Sequence, residues 1–543
     1  MKKARPLDVL IIGAGVNGAG VFRDLCVQGL KCAIIDKSDF GSGTSAASSR
    51  LIHGGLKYLE TGELRLVAES TLERNLLLSN APHLVKPLKT VIPMFSWLKG
   101  IRAALRTLMG STTAPRSRGA ILIKIGLAMY DFYGRHHRVM PKHNFWLKSR
   151  AMQELPALNK KAVAVGIYFD AMITAPERMV MELVQDGLQL QQDSIALTYA
   201  KVDAVCGSDV VAIDENGETH EFSPKIVVNA AGPWIDHVNE SLGISEKLIS
   251  GTKGSHIIVD NPQLVTILDG RMIYYEANDG RICLVYGYLG KVLVGSTDSR
   301  ATDPDSVICE EEEIDYFLES LAYILPDIAV TRKQIIFAYS GIRPLPASDR
   351  SAVGLISRNH SVSVLESDNT RNFPIISLIG GKWTTFRSFS EEVADLILNR
   401  LNASRLASTK ELAIGGGLNY PKNSDLWSSS FAEPERAKIL LSRYGMTALE
   451  ILKAESNNPR MLINTPSYSE QEINWIVEHE QVAHLSDLII RRTHLAICGL
   501  LNAAGLFEIA EITGQTLKWD SVRISHEITT TRKLLLERHH QLL

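Results

Sequence analysis

The apolar positions of this chain fall into two kinds of run. Val9 to Ile12, Cys32 to Ile35, Ile226 to Val228 and Ile375 to Ile379 are short and continuous, the pattern of strands buried on both faces. Between them lie shorter alternating stretches, such as Ser255 to Val259 and Lys291 to Val294, which predict strands of a second sheet. Residues 7–36 predict strand, turn, helix and strand: Ala19, Phe22, Arg23 and Leu25 keep helical spacing, and Gly29 stops it. The expected fold is α/β over residues 1–403, a βαβ domain whose pieces are split in sequence by a sheet-based domain. From about residue 404 the pattern changes. Gly415 to Gly417 and Pro421 predict a connector. Ile473, Ile476 and Val477, then Leu485, Leu488 and Ile489, predict a separate C-terminal helical cap over residues 404–543.

Composition narrows the class. A chain of 543 residues is too long for one core. With 45% hydrophobic and 22% charged residues it is neither disordered nor fibrous, and a net charge of −2 gives no field for nucleic acid. The six cysteines are scattered without a CxxC pair, so neither a zinc site nor a disulfide framework is expected, no metal is implied, and a reducing cytoplasm fits. Lys2, Lys3 and Arg5 precede an apolar run that could pass for a signal peptide. Asp8 interrupts it, and Gly13, Gly15, Gly18 and Gly20 give it another purpose. No uninterrupted apolar stretch reaches the roughly 18 residues of a spanning helix.

Gly13-Ala-Gly15-Val-Asn17-Gly18 follows a strand and opens a helix, and Asp36 closes the next strand 21 residues after Gly15. That is the context of a Rossmann-like dinucleotide fingerprint over residues 8–36. Gly13 makes the turn, Gly15 lets backbone approach a pyrophosphate, and Gly18 lets helix and strand pack closely. The helix N-terminus offers unpaired N–H groups and its positive end. Asp36 suits the hydroxyls of an unphosphorylated ribose, as in FAD or NAD, and the fingerprint does not choose between them.

The stretch Gly41 to Gly55 is dense in hydroxyls and small residues, as a solvated loop would be, or a loop held against a flat ring. Ser48-Ser-Arg-Leu-Ile-His-Gly-Gly-Leu-Lys-Tyr-Leu-Glu60 resembles the flavin-loop motif of the FAD-dependent, respiratory-type glycerol-3-phosphate dehydrogenases. The resemblance continues through Asn229 to Trp234, Lys253 to Ile257, Gly295 to Asp298, Tyr339 to Leu345 and Gly380 to Arg387, and the C-terminal segment looks like that family's cap. It implies a flavoprotein of the D-amino-acid-oxidase type. Such an enzyme oxidises sn-glycerol 3-phosphate to dihydroxyacetone phosphate, with hydride passing from C2 to flavin N5 and electrons onward to a quinone. FAD segments are then expected near 41–60, 226–234 and 375–387. The implied contacts are Asn17 beside the glycines, and Thr44, Ser45, Ser48, Leu51, Gly54 and Gly55 in the loop that His53 shapes. Ala230, Gly232 and Trp234 follow, then Gly381, Lys382, Trp383 and Thr384.

A polyol phosphate needs cations. Arg343 is set between Gly341 and Pro344, and Lys382 follows Gly380-Gly381 at a strand end; the resemblance makes both substrate-phosphate or flavin-edge contacts. His256 has the side chain whose ordinary pKa suits removal of the C2 hydroxyl proton. Where the family commonly has Arg-Tyr, this chain has Lys57-Tyr58, which keeps the charge and loses the planar fork. A longer substrate such as an erythritol phosphate, oxygen as acceptor, or a flavin binder without activity are the alternatives.

From Arg74 to Tyr130 there are nine Lys or Arg and no Asp or Glu. Trp97, Leu98, Ile101, Leu105, Leu108 and Met109 fall on one face of a helix, with Lys99, Arg102 and Arg106 beside it. That pattern predicts either an interfacial helix on an anionic leaflet or a core-packed helix with a basic outer side. The expected partners are the polyol phosphate, a membrane quinone, an anionic membrane surface and a second copy as a homodimer. The expected place is the cytoplasmic face of the inner membrane. Glu310 to Glu313 predicts a solvated helix start.

Overall fold

The structure is a computed structural model that describes residues 4–56, 63–99, 119–134, 139–301, 303–347, 360–456 and 458–543. Two sheets organise residues 5–379. In the first, Arg5–Ile12 pairs in parallel with Cys32–Ile35 on one side and Thr219–Asn229 on the other, and Ile375–Ile379 pairs in parallel beyond the latter. The three buried strands expected here and the fourth near residue 226 are therefore neighbours, although more than 300 residues of chain separate the first from the last. Helix Val16–Val27 lies on this sheet beside Pro176–Leu190 and Phe386–Arg400, in one core. Close approach needs small residues: a Cβ at Gly187 would stand 2.5 Å from Phe22, and one at Gly20 2.4 Å from Ser390.

The second sheet is ten-stranded and mostly antiparallel. Ile249–Val259 lies between Lys291–Gly295 and Ile335–Pro346, with the long pair Val85–Met94 and Ala164–Ile173 further along. The chain passes from the first sheet to the second through residues 36–50, and Leu51–Ile52 joins the second sheet against Ala171 and Met172.

One face of the second sheet carries Pro262–Leu268 and Glu311–Ile324. The other face carries the C-terminal helices. Leu440, Ile473, Leu488 and Ile509 share one core with Leu88, Ile258, Met272 and Tyr286. Residues after 404 are helical as expected, and they cap an apolar face of the sheet. Ion pairs reinforce the joint: Arg178 meets Glu480 at 2.6 Å, and Arg492 meets Asp39 at 2.7 Å with Arg491 on the same carboxylate.

Of the expected helix, Trp97 to Lys99 are described and are not helical; Gly119 N–H donates to Lys99 O at 2.8 Å and Ala120 N–H to Ser96 O at 2.9 Å. The rest of the predicted helix, with Ile101, Arg102, Leu105, Arg106, Leu108 and Met109, lies outside the described residues. The described residues resume with helix Ala120–Tyr133, whose Ile121, Ile125, Met129 and Phe132 are exposed. The acidic run does start a helix, Glu311–Ile324, but Glu313 is buried; it closes a capping box with Glu310 and binds Lys253 at 2.9 Å. Among the described residues no helix is long and apolar enough to cross a membrane.

Candidate active site and cofactor cavity

The fingerprint folds as its glycines dictate. Gly13 has φ +102°, and a Cβ there would stand 2.7 Å from the backbone of Ala230 and Ala231. A Cβ at Gly18 would meet Gly13 O at 1.9 Å, so this glycine sets the helix against the turn. Gly15 is the N-cap of Val16–Val27 and offers no side chain to the exposed N–H groups. Ser45 supplies one, its Oγ accepting from Val16 N–H at 2.9 Å. Asp36 accepts from Ala14 N–H at 2.7 Å and Ser38 N–H at 2.9 Å. Burial, opposed by those two bonds, still pushes its carboxyl up to about 6.

Around this turn lies a cavity of about 430 Å³. Its walls bring together Gly13, Gly15, Asn17 and Asp36 with Thr44 and Ser45, with Ala230, Gly232 and Trp234, and with Gly381, Lys382 and Trp383. Three glycine-rich strand ends with Cβ-free backbone and a helix N-terminus fit a pyrophosphate. Asn17 shows the same fit: its Nδ2 donates to Gly380 O at 3.2 Å, while its buried Oδ1 has no partner. At one end, Trp234 Nε1 donates to Asp305 Oδ1 at 3.0 Å, and Lys37 binds that oxygen at 2.9 Å.

The loop after Asp36 is tied at every step. Thr44 donates to Ile342 O at 2.6 Å, and Trp383 Nε1 donates to Ser45 O at 3.0 Å. His53 N–H donates to Thr384 Oγ1, and Thr384 donates back to His53 O, both at 3.1 Å. Gly54 N–H donates to Asp170 Oδ1 at 2.9 Å; a Cβ at Gly54 would stand 2.2 Å from Tyr130 OH. Gly55 has φ +75°. Gly18, Ser48, Leu51, His53, Gly54, Gly55 and Thr384 do not line the cavity; they hold the backbone that does. Lys57 and Tyr58 lie outside the described residues.

Beneath this loop is a buried cluster that the sequence reading missed. Arg74 Nη1 lies 2.9 Å from Asp170 Oδ1, and Tyr130 OH donates to the same oxygen at 2.6 Å. Asp170 alone breaks the apolar run Ala164–Ile173, which was its one visible signal.

His256 and Arg343 sit on the second sheet, behind the loop rather than in the cavity wall. Each has a seat made by a glycine: a Cβ at Gly254 would stand 2.2 Å from the Arg343 guanidinium, and one at Gly295 would stand 2.1 Å from the His256 ring. Gly254 and His256 project from one face of their strand, so the cation and the imidazole are neighbours. Arg343 Nη1 donates to Asp298 Oδ1 at 3.0 Å. Burial, and then the positive charges of Arg343 and Arg50, hold His256 well below 6.5, so its ring is neutral at pH 7.

A glycine-cradled cavity at a helix N-terminus, facing a second sheet that carries a neutral imidazole beside a guanidinium, defines a dinucleotide-dependent oxidoreductase. Residues 8–384 match the family of FAD dependent oxidoreductases, and residues 407–524 match the C-terminal domain of alpha-glycerophosphate oxidase. The chain belongs to the FAD-dependent glycerol-3-phosphate dehydrogenase family. A glycerol-3-phosphate dehydrogenase of Synechocystis sp. is 35% identical, covering 94% of this chain and 92% of its own length. A probable mitochondrial glycerol-3-phosphate dehydrogenase of Dictyostelium discoideum is 30% identical over 97% of this chain and 84% of its own. The structure of the Bacillus halodurans glycerol-3-phosphate dehydrogenase complexed with FAD has the same fold, with a TM-score of 0.77, 23% identity, and coverage of 99% and 95% of the two chains. The expected α/β architecture with a helical C-terminal domain, and FAD as the cofactor, are thereby shown.

Proposed function

We propose that the chain oxidises the C2 hydroxyl of sn-glycerol 3-phosphate to dihydroxyacetone phosphate. The observation that carries this reading is the placement of neutral His256 beside the Arg343 guanidinium on one face of two paired strands. When bound, FAD supplies the acceptor for the C2 hydride. Gly13, Gly15 and the N-terminus of Val16–Val27 hold its pyrophosphate, and Asp36 takes its ribose hydroxyls. Arg343 and Lys382 meet the substrate phosphate and orient C2, Lys57 adds charge, and His256 accepts the hydroxyl proton.

The electron acceptor in this proposal is a membrane quinone, with the protein on the cytoplasmic face of the inner membrane. The outer face of helix Ala120–Tyr133 supports it. Ile121, Ile125, Met129 and Phe132 are 42%, 54%, 36% and 57% exposed on consecutive turns, and Trp97 and Leu98 are exposed next to its first turn. Lys99 and Lys124 border them, as interfacial binding to anionic lipid requires.

A dye-reduction assay on a panel of sn-glycerol 3-phosphate, erythritol phosphate and glycerol tests the substrate. The expected order has the glycerol phosphate first and glycerol near zero. Preference for erythritol phosphate would instead fit Lys57, and no turnover with any phosphate would sink the reading.

A further inference from the structure

The turn Ser48-Ser49-Arg50 is fastened to the second sheet more firmly than a connection requires. Tyr339 OH donates to Ser48 O, and Tyr286 OH to Ser49 O, each at 3.0 Å. Arg50 has φ +53°, a conformation unfavourable for a long side chain. Its guanidinium grips Glu177 at 2.5 and 3.1 Å and Tyr288 OH at 3.0 Å, and these contacts hold the turn in place. The result is that Ser49 Oγ lies 2.8 Å from His256 Nε2.

The imidazole itself has little freedom. Its ring stacks on Tyr339, with centroids 5.0 Å apart and planes 16° from parallel, and its Cδ2 edge lies against Gly295. Its other nitrogen, Nδ1, is buried and has no hydrogen-bond partner. A neutral imidazole carries one proton, on one nitrogen or the other. If the Ser49 hydroxyl donated to Nε2, the proton would sit on Nδ1 as a buried donor with nothing to receive it, which native proteins avoid. If Nε2–H donates to Ser49, Nδ1 keeps a bare lone pair.

We propose that Ser49 is a positioning residue: it accepts the Nε2–H of His256 and so leaves Nδ1 as the atom that takes the substrate hydroxyl proton. This rests on the reading of His256 as the base. The substrate O–H bond breaks and the Nδ1–H bond forms. Nε2–H stays on Ser49 throughout, and the C2 hydride leaves to FAD as in the parent reaction. Among the described residues, the groups facing the ring are Arg343 from Ile335–Pro346, Arg50 from the turn, the stacked Tyr339, and Gly295 from the strand Lys291–Gly295.

The test uses purified holoenzyme with Ser49→Ala, Ser49→Thr and His256→Asn. Ser49→Ala should lower kcat by about 10- to 100-fold with KM within about twofold, while the flavin absorbance and FAD content stay at wild-type values. The acid limb of its kcat profile should move to lower pH, because the imidazolium loses an acceptor. Ser49→Thr, which keeps the hydroxyl, should restore most of kcat and the limb. With ¹⁵N-labelled histidine, the resonances that vanish in His256→Asn should show an unprotonated Nδ1 in the wild type. A Ser49→Ala enzyme with kcat within twofold and an unmoved limb overturns the proposal, as does a protonated Nδ1. Loss of kcat in His256→Asn alone leaves the base standing and removes Ser49. Normal kcat in His256→Asn removes the base reading itself.

Discussion

Asp298 holds Arg343 in place: its Oδ1 accepts from Nη1 at 3.0 Å, and the two side chains are 29% and 24% exposed. In the proposed reaction the substrate phosphate meets a guanidinium that is already oriented. Arg343→Ala should cost about 1.5–3 kcal/mol, or roughly 10- to 150-fold in kcat/KM for sn-glycerol 3-phosphate. Unphosphorylated glycerol should be affected far less. Equal losses on the two substrates would show that Arg343 does not read the phosphate.

His256 is kept below 6.5 by burial first and by Arg343 and Arg50 after it. In the proposed reaction the neutral form is the base, so activity should fall as pH drops through this depressed pKa, with the acid limb below 6.5. Removing the Arg343 charge should raise the pKa and shift the limb upward. His256→Asn should lower kcat by about 10²- to 10⁴-fold with FAD retained, and the limb should disappear. A near-normal kcat with the same profile would leave His256 outside the chemistry.

Gly15→Val places branched carbon where even a Cβ would stand 3.3 Å from Ser45 Oγ, against the bond that caps the helix. The expected protein folds and elutes normally but is colourless. Gly18→Ala should be worse, since its Cβ meets Gly13 O at 1.9 Å, and soluble yield rather than flavin content should fall. A yellow Gly15→Val protein with full flavin stoichiometry would refute this placing of the cofactor.

His484 joins the two halves of the molecule, with Nδ1 2.9 Å from Glu527 and Nε2 2.7 Å from Glu215. Glu527, more than the neighbouring acids, raises its pKa to about 9 against the cost of burial. A raised pKa means the charged form is stabilised in the fold. That contribution is complete below the unfolded value of about 6.5 and is lost as pH rises through about 9. The Tm of the wild type should therefore fall more between pH 7 and pH 10 than that of His484→Gln. Parallel curves would show that the ring is neutral in the fold.

Ile125→Glu with Phe132→Glu should release the protein from anionic vesicles, because both side chains are exposed on one face of Ala120–Tyr133. Dye-linked activity and Tm should hold while quinone-linked activity falls. Lys99, Arg102 and Arg106 changed together to Glu should act in the same direction, and high salt should weaken wild-type binding. Cosedimentation equal to wild type in both variants would locate any lipid contact elsewhere.

The parts of the fold legible in sequence were those whose cause is local. Cys32–Ile35 and Ile375–Ile379 begin and end where the apolar runs do, because a strand covered on both faces has no polar positions to blur its edges. The fingerprint was legible because its glycines answer to contacts within one turn. What escaped depends on distant partners. Leu51–Ile52 is a strand only because Ala171 and Met172 lie beside it. Asp170 looks like a flaw in an apolar run until Arg74 and Tyr130 arrive from two helices. Trp97 fits a helical pattern, yet it is not helical; its carbonyl and those of Ser96 and Lys99 receive the N–H groups of Ile121, Ala120 and Gly119.

Asp39, three residues past Asp36, is fully buried, and its charge is met by Arg491 and Arg492, some 450 residues later. During synthesis the nucleotide half leaves the ribosome first, yet its Asp39 lacks these two guanidinium partners until the last tenth of the chain follows. The order of birth and the order of completion are thus reversed. A growing or shortened chain that ends before Arg491 has a fingerprint but no settled loop beside it, so a premature stop should yield a protein that is degraded or flavin-free rather than a smaller working enzyme.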